Sequence, residues 1–298
     1  MKVLVLLGGE SDEREVSLRS GKAVAKALQA NGHDVSEYDP AGGYEGLTQF
    51  VDRVGCVFPI LHGKGGEDGT IQAELEKLNF KYLGSDSTAS KLCFDKDEFK
   101  KILNKLSILT PKWEIVDKNS IKKSELANHP YVLKPIDGGS TIDTYIVRDP
   151  TTTSYDKQVF ERHERMLLEE LILGDEITVP ILGNSALPVI EIIPPEGKEF
   201  DYENKYNGAS QELCPPRNIA QDQQEEAQRL AEKIHKAVDA KHLSRTDIMI
   251  TPEGKQLVLE LNTIPGLTAQ SLFPKAAKAA GMTFESLVQK LVEMACTV

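Results

Sequence analysis

Residues 243–272, LSRTDIMITPEGKQLVLELNTIPGLTAQSL, carry the reading around which the rest of the chain can be organised. Apolar and polar residues alternate on both sides of Pro252-Glu253-Gly254, the pattern of two half-buried strands joined by a tight turn. Pairing the arms with Thr251 opposite Gln256 places Asp247 opposite Glu260 and Arg245 opposite Asn262. Two carboxylates facing each other across a ladder repel, and a divalent cation between them turns repulsion into ligation. Asp, Glu and Asn all offer oxygen, the donor that Mg²⁺ prefers, and few such ligands suffice when a substrate phosphate supplies the rest. A solvated, charged hairpin face is the alternative reading of the same residues. After Asn262, Thr263-Ile264-Pro265-Gly266 leaves the strand pattern abruptly, where exposed backbone can approach a small ligand.

The chain has 298 residues, enough for two or three compact units. Its 40 % hydrophobic and 27 % charged content is that of a globular protein. A net charge of −11 argues against nucleic acid as a partner, since that needs a basic face. Anionic small molecules stay open, because local lysines and arginines can still line a positive pocket. The apolar run in MKVLVLLGGE is too short for a signal peptide, and no stretch reaches membrane-spanning length, so no membrane partner is expected. Cys56, Cys93, Cys214 and Cys296 are scattered singly, which indicates neither a zinc site nor a disulfide framework and makes a cytoplasmic location the expectation.

From the N-terminus, Lys2–Leu7 reads as a strand buried on both faces of a parallel sheet. A helix follows from about Val16, closed by Gly32, and then a strand at Asp34–Tyr38. The plan repeats with a strand at Cys56–Leu61, a glycine-rich loop over residues 62–69, a helix to Leu78 and a strand at Lys81–Leu83. Strands alternating with helices predict a doubly wound α/β unit with a binding crevice at the strand ends. His62 sits on such a loop, as a ligand contact or a plain hydrogen-bonded histidine. Residues 84–88 read as a boundary, followed by a helix near Asp95–Leu106 whose lysines are expected to be mostly solvated. Strands at Tyr131–Pro135 and Thr144–Val147 flank Ile136–Asp143, either a phosphate-cradling loop beside Lys134 or a simple hairpin turn. Strands are also expected at Glu176–Leu182 and Leu187–Ile193, a functional lid or a disordered segment at 197–218 and a helix at Asp222–His242. No P-loop, dinucleotide fingerprint, CxxC, HExxH or GxSxG occurs.

Six segments together form a recognisable set: GGESDEREVSLRSG (8–21), LHGKGGEDGTIQAELE (61–76), Lys134-Pro135 with Gly138-Gly139-Ser140-Thr141, ENKY (203–206), SRTDIMI (244–250) and LELNTIPGLTAQSLFP (259–274). In order and spacing the chain resembles the D-alanine–D-alanine ligase family of the ATP-grasp superfamily over nearly its whole length. The resemblance implies an ATP-grasp fold of α/β and α+β units. These are an N-terminal doubly wound domain over 1–87, a central subdomain over 88–178 and a C-terminal subdomain over 179–298, with ATP between the last two. It implies ATP-dependent joining of two D-alanines through a D-alanyl phosphate for peptidoglycan synthesis, in a homodimer.

Carried onto matching positions, the resemblance implies that Asp247, Glu260 and Asn262 hold two Mg²⁺ ions, with Mn²⁺ as the alternative metal. Lys96 and Lys134 would contact the ATP phosphates, Lys205 the γ-phosphate, and Glu169 and Glu176 the adenine and ribose. Glu13 would bind the first D-alanine's ammonium beside Ser140 and Tyr206, with His62 near the same substrate. Arg245 and the Gly266 N–H would form the oxyanion site, and Ser271 and Leu272 would receive the second D-alanine. One departure stands out. Where the family usually has Gly-Ser-Ser-x-Gly, this chain has Gly139-Ser140-Thr141-Ile142-Asp143, an acid in place of the last glycine. A carboxylate there costs Coulomb energy against a triphosphate unless it points away or meets a cation. The alternatives are a ligase joining D-alanine to another D-amino or D-hydroxy acid, or a nucleotide-binding homologue with weak ligase activity.

Overall fold

Strand β1 (Lys2–Leu6) shows why the first apolar run lacks alternation. In the computed structural model, which describes residues 1–139, 141–152, 155–195 and 210–296, β1 is the middle strand of a parallel sheet. It lies between β2 (Asp34–Tyr38) and β3 (Cys56–Pro59). Val3, Val5 and Phe58 join one core with Val24 and Leu28 of helix α1 (Arg14–Ala30). Leu4, Leu6 and Val57 join a second core with Ile71 and Leu75 of α2 (Thr70–Lys77) on the opposite face. With both faces covered, every β1 position after Lys2 is buried. Helix α1 packs so closely that a Cβ on Gly21 would lie 2.4 Å from Leu7 Cβ.

One local expectation here is corrected: residues 81–83 make only an isolated bridge, Val57 to Tyr82, in place of a strand. Within residues 84–88 a helix starts: α3 (Ser87–Phe94) is capped by Asp86, which accepts from the Ala89 N–H at 2.9 Å. Helix α4 (Lys96–Lys105) begins at once, with Asp95 accepting from Asp97 N and Glu98 N.

A second, antiparallel sheet contains β4 (Trp113–Val116), β5 (Tyr131–Pro135), β6 (Tyr145–Val147) and β7 (Met166–Glu170) in the order β4-β7-β5-β6. The short helix α5 (Val159–Arg162) precedes β7. The third sheet runs β11-β10-β8-β12-β13 with β9 on β8. Its strands are β8 (Asp175–Leu182), β9 (Ser185–Ala186), β10 (Ile190–Ile193), β11 (Gln211–Leu213), β12 (Leu243–Ile250) and β13 (Gln256–Asn262). Strand β10 starts three residues later than expected, past Pro188, which has no N–H for a ladder. Helix α6 (Gln221–Ala237) stops short of the expected His242, as Asp239 and His242 take positive φ.

One face of the third sheet is buried: Ile177, Val179, Ile248, Ile250, Val258 and Leu261 pack with Phe99 and Leu103 of α4 and with Ala231 and Ile234 of α6. Fully burying a side chain such as Phe99 contributes roughly 1.5–3 kcal/mol. On the other face Leu182, Leu243 and Ile190 join the core that holds Val3 and Phe58. The C-terminal helices α7 (Leu272–Ala279) and α8 (Phe284–Cys296) return to the N-terminal sheet, where Phe273, Leu287 and Leu291 join the Val3–Phe58 core. Among the described residues no helix is long and apolar enough to cross a membrane.

Candidate functional site

The open face of β12–β13 holds Arg245, Asp247 and Met249 on one strand and Glu260 and Asn262 on the other. Asp247 lies opposite Glu260 and Arg245 opposite Asn262, as expected, but the register near the turn differs. Gln256 faces Ile250 rather than Thr251, and the offset is absorbed by an irregularity between Asp247 and Ile248, where Leu259 is the extra residue on β13. A bulge adds one residue to one strand and turns neighbouring side chains to the same side. Accordingly Val258 and Leu261 are buried, while Leu259 and Glu260, consecutive in the chain, both line one pocket.

Arg245 grips Asp247 with two bonds, Nε to Oδ1 at 2.9 Å and Nη2 to Oδ2 at 2.8 Å, and Thr178 on β8 donates to Oδ1 at 2.5 Å. A carboxylate has about four lone-pair sites, so three occupied positions leave one for a cation. Glu260 lies 3.6 Å from Lys96 Nζ. Two carboxylates and a carboxamide on one face suit a hard, oxygen-seeking cation whose remaining ligands come from phosphate and water. Among the described residues no cluster of three or more His, Cys, Asp or Glu forms a complete cage by itself.

Facing this hairpin, the second sheet supplies cations. Glu169 on β7 takes Lys134 at 2.5 Å and Lys100 at 3.0 Å, and both lysines, like Glu169, are buried at their charged ends. Burial opposes the charge on Glu169, but the two ammonium groups prevail and hold its carboxyl below the ordinary range. Burial pulls Lys100 down despite Glu169, whereas the charges of Glu169, Glu260 and Glu176 outweigh burial at Lys134 and raise it. Lys100 also lies 5.4 Å from the Trp113 ring centroid. The expectation that the α4 lysines are mostly solvated is therefore wrong for Lys96 and Lys100, 7 % and 0 % exposed. The signal was in the sequence: residues 96, 99, 100 and 103 form the apolar stripe of α4, and two lysines stand on it. A pocket of about 200 Å³ lies between the sheets, lined by Lys96, Lys134, Glu169 and Glu176, by Asp247 and Glu260, and by the apolar Val132, Ile146, Met249 and Leu259.

A larger cleft of about 970 Å³ opens beside it, toward the N-terminal sheet, and is lined by Glu13, His62 and residues 138–139. Glu13 is the residue ahead of α1 and is buried. A Cβ on Gly139 would sit 2.5 Å from Glu13 Oε2, so a side chain there would require the carboxylate to shift. His62 is buried; burial pushes its imidazole down to about 4, a hydrogen bond to the Ile264 backbone opposing and the Arg245 charge assisting. Its Nε2 has no hydrogen-bond partner. Glu67, which the sequence did not single out, accepts from Gly63 N at 2.8 Å. Burial, with Glu13 and Glu260 nearby, pushes its carboxyl up to about 8. Nothing in its local pattern separates it from Asp68, because its neighbours arrive from distant parts of the chain.

Gly266 and Ser271 lie in one turn: Thr268 N–H donates to Ser271 Oγ at 3.1 Å, and Ser271 N–H returns a bond to Thr268 O at 2.9 Å. Ser271 immediately precedes α7, whose first residue is Leu272. Three expected site residues, Ser140, Lys205 and Tyr206, lie outside the described residues, as does most of the expected lid. Of the rest, Glu13 and His62 line the larger cleft and Lys96, Lys134, Glu169, Glu176, Asp247 and Glu260 the smaller pocket, whereas Arg245, Asn262, Gly266, Ser271 and Leu272 line neither.

Comparison with known proteins agrees in extent. A profile for the D-ala D-ala ligase C-terminus matches residues 102–293, and one for the D-ala D-ala ligase N-terminus matches residues 38–85. The chain is 41 % identical over 297 residues to a D-alanine–D-alanine ligase of Aquifex aeolicus, covering 98 % of this chain and 100 % of that one. Its structure is similar to that of the D-alanine–D-alanine ligase from Bacillus anthracis complexed with ATP, with a TM-score of 0.83 at 30 % identity over 99 % of this chain and 97 % of the other. It is also similar to the VanG D-Ala:D-Ser ligase from Enterococcus faecalis, with a TM-score of 0.80 at 28 % identity over 99 % of both.

Proposed function

The chain belongs to the D-alanine–D-alanine ligase family, with its ATP-grasp fold, and on that premise we propose how its residues divide the work. The enzyme joins two D-alanines with ATP, for peptidoglycan synthesis. The carboxylate of the first D-alanine attacks the γ-phosphorus, ADP leaves and an acyl phosphate forms. The amine of the second D-alanine, having lost a proton, attacks the acyl carbon, and phosphate leaves from the tetrahedral intermediate.

ATP occupies the pocket between the second and third sheets, its base against Val132, Ile146, Met249 and Leu259. Glu169 and Glu176 serve the adenine and ribose side, and Lys96 and Lys134 the phosphates. Asp247, Glu260 and Asn262 would hold two Mg²⁺ ions, or Mn²⁺, whose charge would offset that of the triphosphate. Glu13 pairs with the first D-alanine's ammonium. His62, neutral at pH 7, lies beside the same substrate as a polar contact that carries no charge. Arg245 and the Gly266 N–H receive the oxyanion, and Ser271 with Leu272 receives the second D-alanine. Roles for Ser140 and Tyr206 beside Glu13, and for Lys205 at the γ-phosphate, follow from the family resemblance alone. The same resemblance supports a cytoplasmic homodimer and the division into N-terminal, central and C-terminal units.

The observation that carries this reading is the place of Arg245. Its guanidinium grips Asp247 on the nucleotide side, and its charge acts on His62 and Glu67 on the amino-acid side. One residue thus connects Asp247, which lines the smaller pocket, with His62, which lines the larger, where acyl and phosphoryl groups must meet. The test is phosphate release with ATP, Mg²⁺ and a panel of D- and L-amino acids and D-lactate, with product mass measured. D-alanyl-D-alanine as the main product supports the reading. A mixed product would move the chain to the second-substrate alternative, and ATP binding without turnover to the non-catalytic one.

A further inference from the structure

Asp143 closes the loop between β5 and β6 with φ +53°, and Thr141 two residues earlier has φ +62°. Left-handed backbone is open to glycine at little cost and less readily to residues with a Cβ, although aspartate is among the more tolerant. Such a conformation persists where the surroundings over-determine it. Here the surroundings are α5 and the residue after it. Arg162 donates from Nη2 to Asp143 Oδ1 at 2.7 Å and from Nε to Oδ2 at 3.1 Å, and His163 Nε2 lies 2.7 Å from Oδ2. Arg162 is itself steadied by Asp156 at 3.5 Å.

Exposed single ion pairs usually contribute little. This one is a bidentate fork with a third partner, and the Asp143 side chain is only 17 % exposed. The Arg162 hydrogen bonds hold the Asp143 carboxyl below its ordinary range, with His163 assisting and burial opposing. The loop that this clasp ends is the wall between the two pockets: Gly138, Gly139 and Ile142 line both.

We propose that Asp143, Arg162 and His163 form a clasp that positions the Gly138–Gly139 wall over bound ATP. The carboxylate where the family has glycine meets the Arg162 guanidinium at the end of α5, with His163 Nε2 beside it, and is thereby turned from the triphosphate. These are positioning residues; they act through the loop. The proposal rests on the nucleotide reading of the smaller pocket.

The test uses Asp143→Ala, Asp143→Gly, Arg162→Ala and the Asp143→Ala/Arg162→Ala double variant in the full-length enzyme. The readouts are KM for ATP, KM for D-alanine, kcat and Tm. Each single variant is expected to raise KM for ATP about fivefold, equivalent to ~1 kcal/mol, with kcat within about twofold and Tm nearly unchanged. Asp143→Gly, which keeps the backbone conformation but loses the clasp, should match Asp143→Ala. The double variant should be no worse than the singles, the signature of one shared interaction. An unchanged KM for ATP, additive losses, a normal Asp143→Gly enzyme, or a joint rise of both KM values with a fall in Tm would each overturn the clasp. Failure of the underlying reading looks different: the unaltered protein would then form no dipeptide with ATP at all.

Discussion

Asp247 and Glu260 face each other across β12 and β13 because Leu259 is an extra residue in β13. Without it, the turn register would set Asp247 against Leu259 and turn Glu260 away from the pocket. The bulge therefore places both carboxylates on the smaller pocket, where their repulsion is relieved by Arg245 and by Lys96.

Glu260→Gln is expected to lower kcat by about three orders of magnitude or more while the fold persists, since phosphoryl transfer depends on positioned charge. Phosphate release at saturating Mg²⁺ measures it, with circular dichroism as the control. Turnover near that of the unaltered enzyme would remove Glu260 from the metal set.

Lys100→Met leaves Glu169 with one lysine instead of two in a buried cluster. Breaking such a pair from one side typically costs about 3–5 kcal/mol. The expected result is a large fall in Tm, while Lys101→Met, at an exposed position one residue on, leaves Tm unchanged. Equal Tm values for the two variants would mean that Glu169 does not need Lys100.

Glu67 sets a pH dependence. Its carboxyl is raised to about 8 in the folded chain from an ordinary 4.5, so the native state binds more protons than the unfolded one between these values. The stability contributed by the protonated group is full below about 4.5 and is lost as pH rises through 8. In the ligand-free protein with EDTA, Glu67→Gln should make unfolding free energy less dependent on pH across this window, by at most ~1.4 kcal/mol per pH unit. An identical pH profile in denaturant titrations would show that the group ionises freely in the folded state.

Gly139→Ala tests the approach of the loop to Glu13. The new methyl would lie 2.5 Å from Glu13 Oε2, and the buried carboxylate must shift to admit it. KM for the first D-alanine should rise about tenfold or more, given what small misplacements cost. Unaltered D-alanine kinetics would place Glu13 outside the substrate's reach.

Whereas the bulge that sets Asp247 against Glu260 came from the structure, the sequence by itself determined the two strands of the hairpin, the doubly wound N-terminal unit and the family. These are local matters: side-chain periodicity reports which residues share a face, and fixed motifs report chemistry. The tertiary structure decided what depends on partners far apart in the chain. Lys100 stands on the buried stripe of α4 by its spacing, but its partner appears only when Glu169, 69 residues away, is found at 3.0 Å. Asp143 reads as a misplaced charge until Arg162 is found beside it. Glu67 becomes an acid that resists ionising only where the closed chain buries it and brings Glu13 and Glu260 near. The final helix packs on the first sheet, although nothing in its own pattern names that surface. Burial and ion pairing belong to the environment around a residue, and that environment exists only once the chain has closed on itself.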